Sequence, residues 1–345
     1  MDSTKLSGKN HDNHQGGNTA ADDLKKKKSG KRRRAIIRAS AAVLGLTLGF
    51  LGICAAVFAR YYSLMDTSET DCDYDNVVSI TDSSLAEVSD RDIRLPEEEV
   101  YSDRDVTNIL LIGTDERTKD FDPYARADSI MVLSLNPKSH SVRLVSLERG
   151  MTVSIPGRKN DLLTHTFHYG GAKLVMKTVR THFNLDTERY IRVNFSVFEK
   201  LVNTVGGVDI TLTAKEAEAL NGILTQKVTE GGNHLDGAGA LQYARLRSID
   251  SDWGRVKRQR KVIASIKKKM KKQSLGELDD IATACLPYVQ TNLTSLEFAD
   301  LLLNLTNYAN GDYKEMTIPK KGTFNGLGDV DFEANSRILR NFLYK

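Results

Sequence analysis

Seven cations crowd one stretch of the chain, YARLRSIDSDWGRVKRQRKVI at residues 243–263. They are Arg245, Arg247, Arg255, Lys257, Arg258, Arg260 and Lys261, with Asp250 and Asp252 set among them. Like charges packed this closely repel. Either an anion sits among them, or most of them point into water. A helix starting near Gly254 sorts them by angle. Positions 255, 258, 259, 262, 263, 266 and 270 fall on one side. Arg255, Arg258 and Gln259 then head a stripe made by Val262, Ile263, Ile266 and Met270. Lys257, Arg260, Lys261, Lys268 and Lys271 face away, as a solvated face. Two arginines and an amide at a helix N-terminus, where the dipole already favours negative charge, suit an anion. Arg245 and Arg247 are two apart and share no helical face, but they converge if a helix ends between them. Guanidinium forks grip phosphate or carboxylate bidentately, and Asp252 could orient one of them. The plainer alternative is a set of surface ion pairs of little energetic weight.

A second group is made of carboxylates. LLIGTDER places Asp115 just past the carboxyl end of an apolar strand, with Arg117 beside it. Open α/β sheets tend to hold ligands there. YARADSIMV places Asp128 immediately before the next strand, with Arg126 beside it. Two aspartates at adjacent strand ends suit a hard cation such as Mg2+, which takes one or two carboxylates and completes its shell with water and phosphate oxygens. The alternative is a pair of turn-forming aspartates. Arg149, ending VRLVSLERG, is a third cation at a strand end. His165 is a candidate for the site wall, and His168 reads as structural.

Positioning these groups requires a packed α/β domain from residue 106 onward. VTNILLIGTD reads as a strand buried on both faces. DSIMVLSLNP and HSVRLVSLERG are two more strands, joined by the turn NPKSH, and MTVSIPG is a fourth. In GGAKLVMKTVRTHF the residues Ala172, Val175, Val179 and Phe183 share a helical face. YIRVNF and VDITL are strands. Between them Phe198, Leu201, Val202 and Val205 form a helix stopped by Gly206 and Gly207. Helices follow at about 214–224, 237–247, 254–272, 276–286 and 295–309, and a short strand near 313–318 comes last.

The 345 residues carry a net charge of +4, unevenly placed. Residues 1–34 form a basic tail with almost nothing to bury, the composition of a disordered segment. ASAAVLGLTLGFLGICAAVFA, residues 39–59, has no charge. Within a segment 35–60 it is long enough to cross a bilayer, the alternatives being a core helix or a cleaved signal peptide. The cations before it put the tail in the cytoplasm and the rest outside. Residues 61–105 are acidic and read as a stalk, with 106–272 as the α/β domain that carries the candidate residues and 273–345 as a helical extension packed on it. The three cysteines, Cys54, Cys72 and Cys285, have no metal-ligand spacing. A Cys72–Cys285 disulfide is allowed outside the cell.

In this order, NILLIGTDER, ARADSIMVLSLNP, VSLERGMTVSIPG, HYGGA, VNFSVFEKLVNTVGGVDI, HLDGAGALQYARLR and DWGRVKRQRKVI resemble the LytR-CpsA-Psr family of bacterial envelope phosphotransferases, over about residues 106–272. The resemblance implies a mixed sheet flanked by helices, with an apolar channel for a lipid. It implies transfer of a glycopolymer from a polyprenyl-pyrophosphate carrier to peptidoglycan, through a phosphodiester. By motif position Asp115 and Asp128 would hold Mg2+ (or Mn2+). Arg149, Arg245, Arg247 and Asp252 would act in catalysis, and Arg126, Arg255, Gln259 and Arg117 would bind the pyrophosphate. The chain departs from the family pattern at three places. Gly150 stands where an Asp usually follows Arg149, Glu148 where a Pro precedes it, and Thr164 where an Asn precedes His165. If the missing acid activates the acceptor, the reaction is slow or its acceptor altered. Glu148 points away from Arg149 if the strand persists, so it is a poor substitute. Two other readings compete with the ligase: a lipid-binding regulator without turnover, and a DNA-binding tail. The tail has no helix-turn-helix pattern, so no nucleic acid is expected.

Overall fold

The computed structural model describes residues 55–68, 100–116, 122, 125–247, 249–250 and 252–344, with Asp252 described by its backbone. The basic tail, all but the last residues of the uncharged run, most of the acidic stalk, Cys54, Cys72 and Arg117 lie outside the described residues. Among the described residues no helix is long and apolar enough to cross a membrane.

Tyr61–Lys345 forms one compact unit. Its centre is a six-stranded mixed sheet. The strands are β1 (Thr107–Thr114), β2 (Ala127–Asn136), β3 (Ser141–Leu147), β6 (Arg189–Asn194), β9 (Val289–Thr291) and β10 (Tyr313–Ile318). Their order is β10-β3-β2-β1-β6-β9. β1 runs antiparallel to β2 and parallel to β6, and β10 runs parallel to β3. MTVSIPG yields only the two-residue strand β4 (Thr152–Val153), which pairs with β5 (Asp161–Leu162) in a separate ribbon. β7 (Val208–Leu212) pairs with β8 (Gly231–Leu235) in another.

The helices are α1 (His165–Phe183), α2 (Phe195–Thr204), α3 (Ala214–Asn221), α4 (Gly237–Arg245), α5 (Asp252–Met270), α6 (Leu275–Cys285), α7 (Ser295–Asn310) and α8 (Phe332–Tyr344). α1 begins earlier than its apolar face predicts and is broken at Gly170 and Gly171, where Gly171 takes φ +58°. α2 stops where the sequence says it should, because Gly206 and Gly207 turn left-handed, at φ +78° and +76°. β10 is not the last element, since α8 follows it. Both edge strands of the sheet, β9 and β10, come from residues 273–345.

The two faces of the sheet are used differently, and strand alternation sorts them. Leu110, Ile112, Val132 and Val145 point to one face and pack with Val175 and Val179 of α1 and Leu339 of α8 in the largest core. Their neighbours Leu111, Gly113, Met131, Leu133 and Leu144 point to the other face and line a cavity. β1 therefore reads as an unbroken apolar run because one of its faces meets protein and the other meets an apolar space.

Candidate functional site

The cavity holds about 400 Å3 between the sheet, α2, α4 and α5. Strand register fixes its two ends. Thr114, Asp128 and Asn194 lie at the carboxyl ends of β1 and β6 and the start of β2. Leu133 and Leu144, paired across β2 and β3, lie about 17 Å farther along at about 3.3 Å per residue. α5 runs beside them. Arg255 and Gln259 line the polar end, and Ile263 and Ile266 continue the lining. Arg255 to Ile266 spans about 16 Å at about 1.5 Å per residue. The result is a slot with a charged head and an apolar length.

Arg245 and Arg247 both line the head. α4 ends at Arg245, and Leu246 is extended at φ −53°, ψ 128°. Residues on either side of one extended residue project the same way, so a spacing that fails on a helix succeeds here. Leu246 itself is buried in the core formed by β7, β8 and the helices around them. The Arg245 guanidinium lies 4.5 Å from the centre of the Phe195 ring, which desolvates it without neutralising it.

Asp128 is the hub. Arg149 Nη1 donates to its Oδ1 at 2.6 Å, and Arg247 Nη2 reaches the same oxygen at 3.4 Å. Asp115 accepts the Arg126 backbone N–H at 3.0 Å, while the exposed Arg126 guanidinium is 3.9 Å away. Asp115 and Asp128 thus close adjacent strands. Among the described residues no group of three or more His, Cys, Asp or Glu could hold a metal. Two carboxylates without a third fit a Mg2+ whose remaining ligands are water and substrate phosphate, and do not fit an all-protein cage. Arg117 lies outside the described residues. Asp252 opens α5, three residues before Arg255. Glu148 is fully buried and does not line the cavity, which leaves the place of Gly150 without an acid.

The helical layout of the arginines needs two corrections. Arg258 is buried but does not line the cavity. It donates to both carboxylate oxygens of Asp250 at 2.8 Å and to the Leu246 carbonyl at 2.6 Å. Asp250 thus orients the Arg258 guanidinium, and the pair holds the chain that follows Arg247. Arg260, expected in water, is largely buried. It donates to Ser146 Oγ at 3.3 Å and to the Met316 carbonyl, and lies 3.7 Å from Glu315. It thereby ties α5 to β3 and β10. Arg260 lies on the flank of α5 that faces β3 and β10, whereas the side opposite the cavity, with Lys257, Lys261, Ala264 and Lys268, is exposed.

His165 lies 3.0 Å from Asp161 and does not line the cavity. His168 is exposed, with its ring 5.6 Å from that of Tyr169. Sequence reasoning passed over Thr114 and Asn194, which line the polar end. Asn194 also caps α2 by accepting the Val197 N–H at 3.1 Å, and an Asn between a strand and a helix was the available signal. It also passed over Arg192 and Glu116, a buried pair beneath Asp115 at 2.7 Å.

Arg258 holds the Asp250 carboxyl below its usual range by hydrogen bonding. Its contribution is present above the unfolded pKa and is lost as pH falls through the depressed folded value. Asp250→Asn should cost about 1–3 kcal/mol at neutral pH, the buried-pair figure discounted because Asp250 is partly exposed. The deficit should shrink as pH falls below the ordinary aspartate value of about 3.9, because the parent is protonated as well once pH has passed its depressed folded value. Thermal unfolding at several pH values checks this, and a pH-independent deficit would refute it.

Comparison with known proteins agrees with this geometry. Residues 67–343 match the LytR_cpsA_psr family, beyond both ends of the motif-bearing stretch. The chain is 35% identical over 256 residues to the polyisoprenyl-teichoic acid–peptidoglycan teichoic acid transferase TagU of Bacillus mycoides, covering 72% of this chain and 81% of that protein. It is 34% identical over 263 residues to the TagU of Oceanobacillus iheyensis, covering 73% and 79%. A solved structure of TagT bound to LIIa-WTA superposes with a TM-score of 0.55 at 25% identity, covering 73% of this chain and 95% of that one. This mixed α/β chain belongs to the LytR_cpsA_psr family.

Proposed function

We propose that this protein is a membrane-anchored phosphotransferase that moves a glycopolymer from a polyprenyl-pyrophosphate carrier to peptidoglycan. One observation carries the reading. A single cavity joins a head lined by Arg245, Arg247, Arg255 and Gln259 to an apolar length of about 16 Å. The matching ligand has a pyrophosphate at the end of a long hydrocarbon. The names of the TagU relatives support the reaction class.

In this reading the polyprenyl tail lies between the sheet and α5. Arg245, Arg247 and Arg255 bind the pyrophosphate oxygens, Gln259 donates its amide, and Arg149 is aimed from Asp128. Arg126, exposed beside Asp115, meets the charge at the outer rim, and Arg117 is a further pyrophosphate-binding cation in this reading. Asp115 and Asp128 would hold Mg2+ (or Mn2+), which supplies neutralisation of phosphate charge when bound. An acceptor hydroxyl on peptidoglycan attacks the sugar-bearing phosphorus and gives up its proton. The bond from that phosphorus to the bridging oxygen breaks, and the polyprenyl phosphate leaves. The arginines stabilise the charge on the equatorial and departing oxygens, and positioning does most of the rest. Asp252, three residues ahead of Arg255, orients an arginine or helps activate the acceptor. Residues 39–59 anchor the chain, with the basic tail in the cytoplasm and the catalytic domain outside.

The test incubates the protein with a polyprenyl-pyrophosphate-linked sugar, peptidoglycan fragments and Mg2+, and reads products by mass spectrometry. A sugar-phosphate adduct on the acceptor, absent in Asp115→Ala and Arg245→Ala, is expected. Tight binding of intact lipid with no adduct would favour the regulator, a reading motivated by Gly150, and Gly150→Asp would then be expected to restore turnover.

A further inference from the structure

The face by which the catalytic unit meets the bilayer is written in its exposed leucines. The large apolar side chains exposed among the described residues are Val57, Ile223 and five leucines. All five leucines lie on two helices: Leu275 opens α6, and Leu296, Leu302, Leu303 and Leu305 belong to α7. Leu296 and Leu303 are 81% and 83% exposed. They are seven residues apart, on one line of the helix. The opposite side of α7 is buried, with Phe298 and Tyr308 turned inward. Leu301 and Tyr308 pack in a cluster with Leu111, Leu133 and Tyr313, which also line the apolar length of the cavity. α7 therefore stands between that end of the cavity and the outside.

The same two helices receive the chain just after its uncharged run. That run ends at Ala59, two residues before Tyr61. Tyr61 donates its hydroxyl to Asp279 of α6 at 2.6 Å. Tyr62 donates to the Leu293 carbonyl at 3.0 Å, and its ring lies 6.0 Å from that of Phe298 on α7. Lys268 near the end of α5, and Lys271 and Lys272 in the turn after it, are exposed a few residues before Leu275. Leucines flanked by lysines suit an anionic lipid surface. Asp300 and Asn307 share the line of Leu296 and Leu303, so the seat is shallow, at headgroup depth.

We infer that α7 rests on the bilayer surface through Leu296 and Leu303, so that the apolar end of the cavity abuts the membrane and a polyprenyl tail enters without crossing water. The inference rests on the membrane-anchor reading above. It adds which face is down and how the lipid enters.

The test uses the full chain in vesicles containing anionic lipid. Trp253→Phe removes the single native tryptophan, and Leu303→Trp or Lys173→Trp supplies a new one. Lys173 is exposed on α1, across the sheet. Nitroxide-bearing lipids should quench the Leu303→Trp emission and leave Lys173→Trp unaffected. Equal absence of quenching in a chain that resists carbonate extraction overturns the inference and leaves the anchor standing. Release by carbonate removes the anchor reading and the inference with it. A concentration-dependent blue shift without lipid quenching means that a second copy covers the face, and also overturns it. A second arm needs no tryptophan. Leu296→Glu with Leu303→Glu should raise KM several-fold for a polyprenyl substrate embedded in vesicles. KM for a detergent-dispersed short-chain analogue should not change. An unchanged KM for both substrates overturns the inference.

Discussion

Asp128→Ala should lower turnover by about 10²–10³-fold, equivalent to about 2.7–4 kcal/mol of transition-state stabilisation. One oxygen of Asp128 receives Arg149 at 2.6 Å and Arg247 at 3.4 Å. Both guanidiniums lose their common anchor when it goes, and the variant also loses half of the carboxylate pair proposed for Mg2+. Positioned charge counts most where water is scarce, and the Arg149–Asp128 pair is mostly buried. Arg126→Ala sets the contrast. Its guanidinium is 62% exposed and 3.9 Å from Asp115, so the loss should stay within a few-fold. Single-turnover rates separate chemistry from binding here. A loss below tenfold for Asp128→Ala would reduce Asp128 to a structural partner of the arginines.

The parts of this site that were legible in the sequence are those set by local rules. Alternation along β1 and β2 and the 3.6-residue period of α5 fix which side chains share a face. Those two patterns bring Asp128, Arg255, Gln259, Ile263 and Ile266 to the lining of the slot. The convergence of Arg245 and Arg247 needed one further condition, a helix end between them, and Leu246 meets it. What could not be read depends on distant partners. Arg260 looks solvent-facing on a helical wheel, and becomes buried only because β10 pairs with β3 about 170 residues after it in the register of Tyr313 with Val142. β9 is three residues long and carries no period of its own. The sequence points to Asp252 as an orienting acid, and Arg258 is held by Asp250, which lies before α5 and has no helical spacing to mark it. MTVSIPG has the composition of a strand, yet only Thr152 and Val153 find a partner strand.

The largest stability effect should come from a pair that has no motif. Arg192 is fully buried. It donates to Glu116 and to the Asp122 carbonyl, each at 2.7 Å, and to Gln290 at 3.0 Å, with its guanidinium 4.6 Å from the Phe167 ring centre. Burial pushes the Glu116 carboxyl up, and Arg192 opposes it. Arg192→Met removes that opposition and strands a carboxyl in the interior, at a cost of about 3–5 kcal/mol. For a chain of this size that lowers Tm by roughly 10 °C. The sign with pH follows from the raised carboxyl. A group whose folded pKa lies above its unfolded value stabilises the fold below the unfolded pKa, and that stability is lost as pH rises through the folded one. The deficit should therefore be largest at neutral pH and shrink as pH falls toward 4.5, the same trend as for Asp250→Asn but from a different cause: there a paired charge is lost, here an unpaired one is neutralised. Adding Glu116→Leu should restore most of the stability, since an apolar pair can replace a buried ion pair. It should not restore turnover. Glu116 is adjacent to Asp115, and its bond from Arg192 holds the residue next to that carboxylate. Recovery of Tm with activity still depressed would separate holding the fold from aiming Asp115. Recovery of both would show that Asp115 needs no such support.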